Sequence, residues 1–154
     1  MRTIHINNDD NYATPPEFYE ALNKRFNFDF DPCPYCEGEV VEDGLTIEWG
    51  KRNYINPPYS DLKETGYLKS SFVKKAIEES KKGKLCVLLL PVSTSTKLFH
   101  HYIQPNATKI EFVYKRIKFG KLDANGKFYL PLNSKGKVSS GTKDSMVVIF
   151  DGRS

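Results

Sequence analysis

The sequence predicts an α/β domain built on a parallel sheet, and three stretches carry that reading. Leu85-Cys86-Val87-Leu88-Leu89-Leu90 is an uninterrupted apolar run, as expected of a strand buried on both faces of a parallel sheet. Before it, Lys69 to Lys82 carries Phe72, Val73, Ala76 and Ile77 on one helical face and charged side chains elsewhere. Earlier still, Asn53-Tyr54-Ile55 enters the rigid segment Asn56-Pro57-Pro58-Tyr59 as a strand end. Strand, helix, strand in that order implies a right-handed crossover between parallel neighbours.

The chain has 154 residues, 39% of them hydrophobic, with 10 Phe, 9 Tyr and 1 Trp, enough for one domain over 1–154 with its own core. No stretch approaches the roughly 20 apolar residues needed to span a bilayer. The opening Met1-Arg2-Thr3-Ile4-His5 lacks the apolar core of a signal peptide. The odd, sparse cysteines Cys33, Cys36 and Cys86 suit a reducing compartment. These features predict an intracellular chain with no membrane partner. Cys33-Pro34-Tyr35-Cys36 has half the spacing of a zinc site, but no second Cys/His pair follows, and the adjacent His100 and His101 would point apart. No metal is expected.

Taken in order, Thr14-Pro15-Pro16-Glu17 reads as a helix start, with a hydroxyl cap, prolines where no donor is missed and an acid against the dipole. The helix is expected to reach about Lys24, with Phe18, Tyr19, Leu22 and Phe26 in the core. Phe26 to Asp31 alternates apolar and polar residues and stops at Pro32, which predicts a strand ending in a carboxylate. In open α/β sheets ligands sit beyond the carboxyl ends of strands, so Asp31 falls where a ligand's hydroxyls or amine could be bound. Cys33 to Gly44 reads as loop and Leu45 to Trp49 as a short strand after the Asp43-Gly44 turn. The helix from Lys69 ends at Gly83, and the apolar strand stops at Pro91. Ser93 to Thr96 can cap a helix running through Tyr102 and broken at Pro105-Asn106. Ile110 to Phe119 and Met146 to Phe150 read as the remaining strands.

Charge is segregated beneath a formal net of +4. Residues 1–50 hold 3 basic and 11 acidic side chains, a net of −8; residues 115–143 hold 8 basic and 1 acidic, a net of +7. Phe119, Phe128 and Tyr129 interleave with Lys115, Arg116, Lys118, Lys121, Lys127, Lys135 and Lys137, which favours a polyanion and nucleic acid in particular. A basic insertion at about 120–145, too long for a tight hairpin turn, is the expected partner contact.

Asn56-Pro57-Pro58-Tyr59 has the chemistry to hold a planar amine. The prolines fix φ and remove two donors. The Asn56 Oδ1 and the Pro57 carbonyl can accept from an NH2 while the Tyr59 ring stacks on the attached ring. A proline-rich surface turn, or a polyproline ligand for a recognition domain, would use the same residues without that chemistry.

Tyr12-Ala13-Thr14-Pro15, Phe28-Asp29-Phe30-Asp31-Pro32, Asp43-Gly44-Leu45 with Trp49, Asn56-Pro57-Pro58-Tyr59-Ser60, Leu88-Leu89-Leu90-Pro91 and Arg116-Ile117-Lys118-Phe119 occur in one order. That ordered set resembles the small phage-type DNA N6-adenine methyltransferases, the Dam-like group, over roughly residues 10–150. The resemblance implies a reduced Rossmann-like, S-adenosylmethionine-dependent methyltransferase sheet, mostly parallel with an antiparallel C-terminal strand. It also implies DNA as partner and a phage or prophage origin. In such enzymes the Asn-Pro-Pro-Tyr turn holds the exocyclic amine of a flipped adenine. Asn56 and the Pro57 carbonyl would accept from N6, Tyr59 would stack on the base, and Pro58 would shape the loop. Tyr12, Thr14, Pro15, Asp31 and Pro32 match cofactor-binding segments, with Asp43 a partner for the cofactor's adenine. In place of the glycine-rich turn of larger methyltransferases, Asp31 is followed by Pro-Cys-Pro-Tyr-Cys-Glu. Two other readings use the same residues: a catalytically silent DNA-binding module, and a methyltransferase acting on a cytosine amine or a protein glutamine.

Overall fold

The computed structural model describes residues 3–5, 12–35, 40–58, 69–138 and 141–154. The elements are β1 (Thr3–His5), α1 (Pro16–Phe26), β2 (Val40–Glu42), β3 (Arg52–Ile55), α2 (Lys69–Ser80), β4 (Leu85–Pro91), α3 (Gln104–Asn106), β5 (Lys109–Phe112), β6 (Lys121–Leu122), β7 (Phe128–Tyr129) and β8 (Ser145–Asp151). Among these residues no helix is long and apolar enough to cross a membrane.

The main sheet is mixed, in the order β3-β4-β8-β5. β3 and β4 are parallel, with Ile55 opposite Leu88. β8 runs antiparallel to both β4 and β5, so β3, β4 and β5 share one direction and β8 alone opposes them. All seven residues of β4 are buried, as its unbroken apolar sequence requires of a central strand. Separate two-stranded ribbons join β1 to β2 and β6 to β7.

Each face of the sheet builds its own core. On one, Phe72, Val73, Ala76 and Ile77 of α2 cover Ile55, Cys86, Leu88, Leu90 and Phe150. On the other, Leu22 of α1 with Ile117 and Phe119 covers Tyr54, Val87, Leu89 and Ile149. Strand alternation sorts the two sets, Cys86 and Leu88 to one side and Val87 and Leu89 to the other. Phe72 is fully buried, and burying such a ring stabilises the fold by about 1.5–3 kcal/mol.

At the amino end of β4 a buried carboxylate ties α2 to the chain before β3. Glu79 is fully buried and accepts from the Trp49 backbone N–H at 2.9 Å, with Lys82 at 2.9 Å and Lys84 at 3.2 Å. Burial pushes this carboxyl up, but the Trp49 amide, Lys82, Lys84 and Lys75 outweigh it and hold it down at about 2.

Several expected boundaries shift for local reasons. Helix α1 begins at Pro16, with no side-chain cap. The Pro15 carbonyl instead accepts from the Phe18 and Tyr19 amides, both at 3.1 Å. Phe26 to Asp31 does not form a full strand, because Asn27 closes the helix in the left-handed region at φ 52° and Asn23 Oδ1 accepts from the Phe28 amide. What remains is one parallel bridge, Phe30 opposite Asn53, flanking β3. Leu45 to Trp49 is not a strand: Gly44–Thr46 forms a 3-10 turn. The helix does end at Asn106, but Pro105 lies within it and is not what stops it. A π turn over Phe99–Ile103 carries Gln104's amide back to the Phe99 carbonyl, and Pro105, which has no donor, enters the first turn of α3. The strand expected over Ile110 to Phe119 stops at Phe112, and Lys115 turns left-handed at φ 62°.

Candidate active site

At the carboxyl end of β3 the chain enters Asn56-Pro57-Pro58. Ile55, Pro57 and Pro58 are buried and Asn56 is partly exposed. Strand alternation puts Tyr54 and Asn56 on the same face of β3, toward α1. Asn56 Nδ2 lies 3.4 Å from both the Tyr12 carbonyl oxygen and Thr14 Oγ1. Because the amide is planar, donation through Nδ2 to that side turns Oδ1 the other way as an acceptor. Thr14 Oγ1 also meets the Tyr54 hydroxyl at 2.5 Å. The Thr14 hydroxyl, expected to cap α1, therefore connects the N-terminal segment to the strand that ends in Asn56.

Asn56 opens onto a cleft of about 250 Å³, whose walls include Tyr12, Thr14, Tyr19, Asp31, Tyr35 and Tyr54, with Leu122 from β6. Of the residues that the resemblance assigns to cofactor and acceptor, Tyr12, Thr14, Asp31 and Asn56 meet here, although 44 positions separate Tyr12 from Asn56. The Phe30 to Asn53 bridge explains the meeting, since it sets Asp31 beside the carboxyl end of β3.

Asp31 Oδ1 accepts from the Cys33 amide at 2.8 Å. Burial pushes its carboxyl up to about 7 against the opposing pull of that hydrogen bond. Among the described residues no ion pair joins it to a cation. Such a carboxylate gains most from a ligand bearing a cationic amine or hydroxyl donors.

The remaining predicted residues are placed as follows. Pro32 is buried against Gly44, where a Cβ would collide with the Pro32 carbonyl oxygen. Asp43 is buried and accepts from the Leu45 amide at 3.0 Å as the cap of the 3-10 turn; it does not line this cleft. Pro15 lines a neighbouring groove of about 530 Å³ with Phe18, Arg116, Lys118 and Phe128. Tyr59 and Cys36 lie outside the described residues. Cys86 is buried in β4, and burial pushes its thiol up to about 12, which leaves it an inert core group.

The basic insertion folds into two tight tips of one design. In Asp123-Ala124-Asn125-Gly126-Lys127 the Asp123 Oδ1 accepts from the amides of Asn125 and Lys127, both at 2.9 Å, and Gly126 is left-handed at φ 77°. In Asn133-Ser134-Lys135-Gly136-Lys137 the Asn133 Oδ1 accepts from Lys135 and Lys137 at 2.9 and 3.0 Å, with Gly136 at φ 73°. The Asp/Asn and Gly positions are what such turns demand. Each tip thus ends in an exposed lysine, Lys127 or Lys137, with Lys135 also exposed. Lys118 is exposed, as is Lys115; Arg116 is exposed and paired with Asp144 at 3.1 Å. Lys121 departs from this display, since its Nζ lies 4.9 Å from the centre of the Tyr12 ring at the cleft rim.

Tyr19, Tyr54, Tyr35 and Leu122 are cleft residues that the sequence pattern does not single out. Tyr19 sits at core spacing on α1, yet it also lines the cleft, and burial and then the Asp31 charge raise its pKa. Tyr54 carries a readable signal, since it lies two residues before Asn56 on a strand.

An α/β domain that gathers an oriented asparagine amide and a desolvated carboxylate at the carboxyl ends of like-directed strands is the class that fold and cleft define. A family model described as DNA N-6-adenine-methyltransferase (Dam) matches residues 2–153, and the chain belongs to that family. It is 32% identical over 157 residues to the DNA N-6-adenine-methyltransferase of Escherichia phage T1, an alignment covering 92% of this chain. The chain spans 62% of that relative's length. No solved structure matches it.

Proposed function

We propose that this chain transfers a methyl group from S-adenosylmethionine to the N6 amine of adenine in DNA, on a reduced Rossmann-like methyltransferase sheet. The observation that carries the reading is the cleft in which Asn56, oriented through Nδ2, faces the same space as Asp31, Thr14 and Tyr12. Family membership and the one reversed strand, β8, support it further.

The cleft suits the cofactor's chemistry. Asp31 offers an acceptor for an amine or hydroxyls, while Tyr12, Tyr19 and Tyr54 offer ring faces and edges that attract a cation or an adenine. S-adenosylmethionine, when bound, supplies an electrophilic methyl on a sulfonium sulfur. Asn56 Oδ1 and the Pro57 carbonyl accept from the N6 hydrogens, which frees the nitrogen lone pair to attack in line. N6 would take the methyl that the sulfur gives up, and its surplus proton, held by the Asn56 Oδ1 and Pro57 carbonyl acceptors, would pass to solvent. Positioning and matched acceptors supply the acceleration, without a strong base. Tyr59 stacks on the extruded base, offsetting part of the few kcal/mol that extrusion costs. Lys115, Arg116, Lys118, Lys127, Lys135 and Lys137 hold the phosphate backbone.

The test is incubation with methyl-labelled S-adenosylmethionine and unmethylated DNA, followed by nucleoside analysis. N6-methyladenine is expected. N4-methylcytosine would reassign the acceptor, and DNA binding without label would leave a silent binding module.

A further inference from the structure

We infer that the β6–β7 hairpin, which carries the first basic tip, also forms a wall of the cofactor cleft through Leu122, so that DNA and cofactor binding are coupled through this hairpin. This rests on the proposed function. The hairpin is anchored at its base by a backbone bridge: the Ala13 amide donates to the Gly120 carbonyl at 2.8 Å and the Gly120 amide returns to the Ala13 carbonyl at 3.1 Å. Ala13 lies between Tyr12 and Thr14, the two partners of Asn56 Nδ2. One residue beyond the bridge, Lys121 Nζ sits over the Tyr12 ring. Two residues beyond it, Leu122 lines the cleft and its carbonyl comes within 3.5 Å of the hydroxyl of Tyr35, which lines the cleft beside it.

The far side of the bridge is equally constrained. A Cβ on Gly120 would collide with the Tyr129 carbonyl oxygen and the Phe128 ring, so both hairpin strands close on Gly120. The Lys127 tip lies immediately before Phe128, and β6 and β7 are in register, Lys121 opposite Tyr129 and Leu122 opposite Phe128. A phosphate drawing on Lys127 therefore acts on a ribbon whose other strand borders the cofactor space. A cofactor held against Leu122 fixes that same ribbon. Each ligand restricts the element the other needs ordered, which gives coupling of the same factor in both directions.

The experiment measures the affinity for S-adenosylhomocysteine with and without a saturating unmethylated duplex, and the affinity for the duplex with and without saturating S-adenosylhomocysteine. The expected result is tightening of about fivefold or more in each direction, in the usual range for coupled sites. Leu122→Ala should weaken S-adenosylhomocysteine alone and bring the coupling below about twofold, while Leu132→Ala, at an exposed residue away from the cleft, should leave it intact. Tyr35→Phe gives a milder second variant of the same wall and should reduce the coupling in the same direction. Independent affinities in the wild type, or an equal fall in coupling in Leu132→Ala, would overturn the inference while leaving the methyltransferase reading standing. Failure of the wild type to bind either ligand would overturn both.

Discussion

The Thr14 hydroxyl and the Tyr54 hydroxyl share a hydrogen bond across 40 positions of sequence, and the same Thr14 oxygen lies 3.4 Å from Asn56 Nδ2. One hydroxyl thus fixes both the strand face and the amide on which the proposed chemistry depends. Tyr54→Phe should cost about 0.5–1.5 kcal/mol in chemical denaturation while leaving both partners of Asn56 Nδ2 in place. Thr14→Val removes the hydroxyl from Tyr54 and Asn56 alike and should lower turnover well beyond Tyr54→Phe. Equal turnover in the two variants would mean that Thr14 does not orient the amide.

Asn56→Ala is expected to keep the fold and cofactor affinity while slowing methyl transfer by about a hundredfold or more, the scale of losing one transition-state acceptor. Single-turnover rates and calorimetry separate the two effects. A matching loss of cofactor affinity would assign Asn56 to the cofactor instead.

The raised pKa of Asp31 gives a pH signature. Its folded value of about 7 stands above the ordinary 3.8, so between those values the folded state holds a proton that the unfolded chain has released. Stability without cofactor therefore falls as pH rises from about 4 to 8, by up to about 4 kcal/mol from this group. Asp31→Asn should abolish that slope in thermal melts at pH 5 and pH 8. Cofactor binding, proposed to use the carboxylate, should strengthen as pH rises to about 7, and Asp31→Asn should be weak and flat across the range. A pH-independent affinity in the wild type would remove Asp31 from the cofactor site.

Glu79 predicts the opposite combination. Glu79→Ala leaves Lys75, Lys82, Lys84 and the Trp49 amide without their buried acceptor, a change that should lower stability in chemical denaturation. Its lowered pKa means that the wild type keeps this stabilisation in full above the ordinary carboxylate value of 4.5 and loses it progressively as pH falls from there through about 2. Cofactor affinity at low temperature should be unaltered in any folded fraction, because Glu79 sits at the far end of β4 from the cleft.

Neutralising Lys127, Lys135 and Lys137 together tests the two tips. DNA affinity should fall, and the slope of log affinity against log salt should flatten by about 0.9 for each phosphate that the variant no longer neutralises. Turnover at saturating DNA should drop far less than in Asn56→Ala. An unchanged salt slope would make these lysines solvated surface and move the duplex elsewhere.

What is legible in the sequence divides by range. The apolar run at 85–90, the helix that stops at Ser80 just before the left-handed Gly83, and Asn56 at the end of a strand appear where local pattern puts them, because burial on both faces, amphipathic spacing and proline chemistry are written within a few residues. The meeting of Tyr12, Thr14, Asp31 and Asn56 is signalled only by the resemblance, since the Phe30 to Asn53 bridge behind it is a single pairing with no periodicity to read. Tyr19 reads as core because a tyrosine ring and a phenylalanine ring leave the same pattern, and its place on the cleft wall leaves none. Thr14 reads as a helix cap because a hydroxyl before two prolines has that local use, and its partner Tyr54 lies too far along the chain to outweigh it.

The position of β8 bears on how the molecule comes into being. It follows in sequence every element it joins, yet it lies between β4 and β5 and buries six of its seven residues. Until it is made and threaded in, β4 has one bare edge and β5 has no partner in the sheet. During synthesis the apolar strand Leu85–Pro91 must therefore wait, exposed to unwanted pairing, while more than 50 further residues are added. Folding should accordingly be a late, largely non-local event, slower than that of helical proteins of this length and dependent on dilution or chaperones to keep that waiting edge from other chains.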